Sequence, residues 1–145
     1  MGGSTRQLVS ACIYAVCGIV SLVMGTIYLF RATFMPYHAV AISRTWEELS
    51  EAERILFNAL LDVAGAAWAV VGLLTVVLTA IPYRRRELWA RWTLPFVNVL
   101  MYIPILLATL AVLEGTPASP PWYGNALVLA LVAVAVLIDR PWRAE

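Results

Sequence analysis

Between Ile55 and Ile81 the chain offers only two strongly polar side chains, Asn58 and Asp62, before it meets Pro82, Tyr83 and the run Arg84, Arg85, Arg86. At about 1.5 Å per residue, a helix of that length exceeds the roughly 30 Å of hydrocarbon in a bilayer. Its start is marked as well. Ser50 followed by Glu53 is a capping box, in which the hydroxyl and the carboxylate satisfy backbone donors left open by the first turn. The stretch from Ser50 to Arg86 therefore reads as one helix that begins in water, crosses a membrane and stops at an arginine cluster.

Composition leads to the same class. The chain is 62% hydrophobic and 13% charged, against roughly 45–50% apolar and about 25% charged in a soluble domain. Its 145 residues suit a single membrane domain, 1–145, with no second one. The net charge is +1 and all ten basic residues are Arg, so no basic field for nucleic acid is present.

Three more spans accompany the one at 55–81, at 8–30, 92–113 and 122–138. The first is too long for a signal-peptide core and lacks a small-residue cleavage site. On it Tyr14, Gly18, Ser21, Gly25 and Tyr28 alternate in steps of four and three, which places them on one helical face. The matching stripe on the second span is Asn58, Asp62, Gly65, Ala69 and Gly72. These two faces are expected to meet, because small residues let helix backbones approach in lipid. Pro95 and Pro104 interrupt the hydrogen-bond ladder of the third span, whose Asn98, Tyr102 and Thr109 share a face aimed at the bundle. Ser119 is the expected cap of the fourth span. Ala126, Ala130 and Ala133 give that span a small-residue face.

The connection 31–49 contains Phe34-Met35-Pro36-Tyr37-His38 and then Ala39 to Ile42, too apolar to float in water and too short to span. It predicts a short interfacial helix with Pro36 near its first position. Thr45 with Glu48 makes a second capping box and predicts a further helical turn. The fold class is all-α: a four-transmembrane-helix bundle with a short interfacial helix in its first external loop.

Orientation follows from arginine placement. One side collects Arg6, the group from Arg84 to Arg91, Arg140 and Arg143; the other has Arg31, Arg44 and Arg54, the last two among Glu47, Glu48, Glu51 and Glu53. The positive-inside rule makes the first side, and both termini, cytoplasmic. Arg84, Arg85, Arg86 and Arg91 act as the topology anchor.

Chemistry is sparse. A carboxylate at the centre of a spanning helix costs about 2.5–3.5 kcal/mol to insert, and although Asp62 lies about two turns inside the outer boundary, where that cost falls, it is the leading candidate site. Either it is paired structurally, with Asn58, Tyr28 or Arg31, or it is a protonatable or ligand-gripping group in an outward-facing cavity shared with Asn58, Asn98 and Tyr102. Cys12 and Cys17 fall on different faces of one helix and read as buried free thiols. Val9-Ser10-Ala11-Cys12 has the look of a lipoprotein box, but the apolar run follows Cys12 where lipidation needs it to precede. His38 has no second His or nearby Cys to complete a metal ligand set. No nucleotide loop, catalytic triad or Cys-x-x-Cys is present, and no cofactor is implied.

Three segments carry a family likeness: Phe34 to His38 after the first span, Arg84 to Trp92 after the second, and Thr116-Pro117-Ala118-Ser119-Pro120-Pro121-Trp122-Tyr123-Gly124 before the fourth. With them the chain resembles the small four-helix integral membrane proteins of bacteria, in size and layout those of the DoxX-like group. The resemblance implies a bacterial inner-membrane protein and carries over no catalytic residue. The expected function is a non-enzymatic accessory or interaction protein, whose partners are the lipid bilayer and either another membrane protein or a second copy. The alternative is a small transporter or binder of a hydrophobic or protonated ligand that uses Asp62.

Overall fold

The computed structural model describes residues 3–143. Met1 and Gly2, part of the polar N-terminus, and the last two residues lie outside that range. The elements are α1 (Gly3–Leu29), α2 (Pro36–Ile42), α3 (Glu51–Leu78) closed by a π-helical turn (Thr79–Tyr83), α4 (Leu88–Gly115) and α5 (Trp122–Asp139). There is no strand among the described residues. α1, α3, α4 and α5 are each long and apolar enough to cross a membrane. Even α5, with 18 residues, covers about 27 Å.

The bundle is organised on the α1/α3 pair. Their small-residue faces meet in antiparallel register, with Gly25 against Ala69, Gly18 against Gly72, and Gly65 against Tyr28 and Leu29. Backbones approach so closely there that no side chain fits between them. Tyr14 and Ser21, on the same face of α1, pass this seam and reach other elements. The Tyr14 ring packs edge-on against Tyr83, with centroids 5.6 Å apart, and Ser21 Oγ lies 2.8 Å from the hydroxyl of Tyr102 on α4.

At the arginine end the helices are pinned by polar contacts. Pro82 sits inside the π turn and withholds one ladder donor, so the wider turn is the local remedy. Gln7 Nε2 donates to Tyr83 O at 2.7 Å, and Arg86 Nε donates back to Gln7 Oε1 at 3.0 Å. Arg91, at the start of α4, reaches the end of α5: Nε to Asp139 Oδ2 at 3.0 Å and Nη2 to Asp139 O at 3.0 Å. Arg91 is therefore a structural tie as well as a candidate anchor, whereas Arg84 and Arg85 stand exposed. α4 runs unbroken through Pro95 and Pro104.

The other end carries a second, smaller core. Phe34, Leu49 and Leu61 are buried together, with Tyr28, Ala39, Trp46 and Phe57 packed against them. Pro36 starts α2 as predicted, and Ser43 ends it in the left-handed region with φ 53°. The Ser50/Glu53 box forms: Glu53 Oε2 accepts from Ser50 N at 2.8 Å, and Ser50 Oγ accepts from Glu53 N. Arg44 then clamps Glu53 at 2.7 Å, a hydrogen bond that raises the guanidinium pKa above its ordinary value.

Four local expectations are corrected. Thr45 and Glu48 make one half of a box, Thr45 N to Glu48 Oε2 at 2.7 Å, but the segment is a turn and not a helix. Ser119 does not cap α5, whose N-cap is Pro121 with no side-chain cap; Pro121 lacks one of the two donors such a cap would engage, and the other, Trp122 N, donates to Pro120 O at 2.8 Å. α5 buries Val128, Val132 and Ala135, leaving Ala130 and Ala133 exposed and Ala126 half-buried. Its small face is thus turned outward, because Ser10 on α1 fixes the opposite face by donating to Ala135 O at 3.0 Å. Cys17 is buried, as read from sequence, while Cys12 is exposed.

Candidate functional site

The polar residues nominated from sequence separate into two sets. Asn98 and Tyr102 are fully buried in the main core. Asn98 Nδ2 donates to Thr75 Oγ1 at 3.2 Å and to Leu94 O at 2.9 Å. Tyr102 shares its hydroxyl with Ser21 and sets its ring edge-on to Trp68, with centroids 5.0 Å apart. These contacts join α1, α3 and α4. Asn98 Oδ1 is left as a buried acceptor without a partner, the one imperfect point of the network.

Asn58 and Asp62 lie elsewhere and are both exposed. The buried face of α3 is Leu61, Gly65, Trp68, Gly72 and Thr75, and Asp62 is rotated about 100° from it past Leu61. The stripe read from the sequence is real at Gly65, Ala69 and Gly72, but α1 ends at Leu29, opposite Gly65. One turn further on there is no α1 left to face. The proposed structural pairings of Asp62 do not form either. Arg31 Nε donates to Thr33 O at 3.0 Å and to Phe34 O, and the Tyr28 hydroxyl lies 3.3 Å from that of Tyr37. Asp62 makes no hydrogen bond or ion pair among the described residues. Thirteen residues separate Asp62 from Thr75, the partner of Asn98, about 20 Å along the helix. A single cavity lined by Asp62, Asn58, Asn98 and Tyr102 is therefore not formed.

A groove that the residue pattern did not reveal lies between α3 and α4 beneath α2, with a volume of about 440 Å³. Ala64, Ala67 and Trp68 form one wall, Leu100 to Val112 the other, and Tyr28, Tyr37 and His38 close the end away from the arginines. A smaller recess of about 160 Å³ continues behind Tyr28, Tyr37 and Trp68 toward Asn125. The available signal was Tyr37-His38 beside Tyr28, polar aromatics in a connection too apolar for water. It could not locate the groove, which depends on how α2, α3 and α4 pack together.

His38 plays a local structural part there. Its Nδ1 accepts from Met35 N at 3.2 Å, so the neutral ring carries its proton on Nε2. Burial, with a smaller contribution from Arg31, pushes its pKa below the ordinary 6.5. A depressed folded-state value means the contribution is intact above about pH 6.5 and is lost as pH falls through the lower value. Acidification is expected to loosen α2, seen as faster amide exchange over Pro36–Ile42 and altered Trp46 fluorescence. His38→Gln should flatten that pH dependence. Burial also raises the Tyr37 pKa, so the phenol stays protonated and able to donate.

No family profile, curated protein or solved structure matches the chain, and the likeness to the DoxX-like group rests on its three sequence segments alone.

Proposed function

We propose that this is a non-enzymatic, multi-pass protein of the bacterial inner membrane, with both termini cytoplasmic, that serves as an accessory to another membrane protein by offering it the Asn58–Asp62 face of α3. The observation that carries this reading is the exposure of an amide and a carboxylate one turn apart, without partners among the described residues. Ala59 and Ala66 are exposed beside them, so a second helix can come close. Counted back from Tyr83, about 20 residues of helix fill a 30 Å hydrocarbon slab, which sets Asp62 at the boundary opposite the arginines. A carboxylate there is tolerated in the free protein and forms a charge-assisted hydrogen bond with a partner's Arg, Lys or N–H. The transporter reading has less support, since its four residues divide between a closely packed core and an exposed face of α3.

A photo-reactive amino acid at Val63, itself 71% exposed, tests the face in intact membranes. The expected result is one discrete protein adduct that Asp62→Leu weakens about 5- to 30-fold, the worth of one or two kcal/mol of interhelical hydrogen bonding. Adducts to lipid alone overturn the reading, and an adduct of doubled mass replaces the accessory role by self-association.

A further inference from the structure

We infer that the groove beneath α2 is a lipid site, holding one acyl chain of an ester-linked bilayer lipid with the ester carbonyl at Tyr37 and His38. The groove stands apart from the Asp62 face and does not depend on its role. Its lining is uncharged along its length, so it suits no ionic ligand. From Leu100 to Val112 it follows α4 for about 18 Å, close to the half-thickness of a bilayer's hydrocarbon core of about 30 Å.

Depth and polarity agree along that path. Measured from Arg91, about 20 residues of α4 reach the opposite hydrocarbon boundary near Ala111, which is the end of the groove where Tyr28, Tyr37 and His38 gather. Ester carbonyls of the leaflet lie at that level, and the chain below them meets Ala64, Ala67, Met101 and Ile105. The polar end presents donors, and an ester presents only acceptors. The two tyrosine hydroxyls, 3.3 Å apart, use one proton between them and leave the other to donate outward. His38 has committed Nδ1 to Met35, so Nε2–H is its remaining donor. Thr109 is no competitor, because its hydroxyl already donates to Ile105 O at 3.0 Å and Leu106 O at 2.9 Å.

The test compares the full-length protein in nanodiscs of diester phosphatidylcholine and in nanodiscs of the diether analogue with the same headgroup and chain length. Lipid retained after staged delipidation is counted by native mass spectrometry. One diester lipid is expected to survive where the diether is lost, with about tenfold lower retention, as follows from removing hydrogen bonds to the carbonyl. Tyr37→Phe should lower diester retention toward the diether level. Ala108→Leu, a change at an exposed position on the groove wall, should abolish retention with thermal unfolding unchanged. Equal retention of both lipids by the unaltered protein overturns the proposal whatever the variants do. So does full retention with the groove filled, or recovery of a non-lipid molecule in its place.

Discussion

Gly72→Val is expected to abolish the folded monomer in mild detergent, and Gly72→Ala to lower its unfolding free energy by about 1–3 kcal/mol, the range for overpacking a tight interface. A Cβ at Gly72 would lie 2.7 Å from Leu22 N and 2.8 Å from Gly18 O. Both are backbone atoms of the opposing helix and neither can rotate away. Gly25 is as tight, with Ala69 N at 2.7 Å and Ala69 Cα at 2.9 Å, so Gly25→Ala should behave alike. The control lies in the same chain. A Cβ at Gly124 meets nothing within 4 Å, and alanine there gains about 0.5–1 kcal/mol from helix propensity alone. Reversible unfolding in a mixed-detergent titration reads all four variants. If Gly72→Ala proved as stable as Gly124→Ala, α1 and α3 would not be in contact in the register described.

The Arg91–Asp139 pair is the second place where one side chain decides a great deal. Its side chains are only 13% and 6% exposed, and three hydrogen bonds converge on the aspartate from one guanidinium. Removing Arg91 strands a buried carboxylate beside the phenol of Tyr83, a loss of about 3–5 kcal/mol when one partner of such a pair is deleted. Arg91→Leu is therefore expected to unfold far below the unaltered protein. The double variant Arg91→Leu, Asp139→Leu should recover most of that loss, because replacing a buried ion pair with apolar groups is often close to neutral. Arg84→Gln and Arg85→Gln, which change exposed side chains, should leave stability within about 0.5 kcal/mol. A double-mutant cycle showing no coupling between Arg91 and Asp139 would contradict the pairing.

These effects were unequally legible in the sequence. The four long helices could be read because apolar length against bilayer thickness is a strong, local signal. The Gly18, Gly25, Gly65 and Gly72 seam could be read because small residues in steps of three and four on an apolar helix mark a face that another backbone can approach. The pairing of Asp62 across to α1 was misread for a definable reason. Periodicity gives the angle of a residue around its own helix and says nothing of where the neighbouring helix stops, and α1 stops at Leu29. The Ser119 cap failed through donor chemistry, since Pro121 removes one of the two N–H groups a cap can engage and Trp122 N–H is taken by Pro120 O. Arg91 was legible as a charge at a membrane edge, but its partner lies 48 residues away and only the packing of α4 on α5 brings them together. The groove was invisible for a related reason: it lies between elements, with its walls on α3 and α4, and no residue pattern encodes the space between them.

The smaller cluster of Phe34, Leu49 and Leu61 shares no buried residue with the main core. A molecule with two separately packed centres has two cooperative units, and the smaller one opens at a lower free energy than the whole. Transient release of residues 31–50 would draw Tyr37 and His38 off the mouth of the groove while the four long helices stayed in place. Entry to and exit from that space would then be timed by the breathing of a few aromatic rings at the membrane surface.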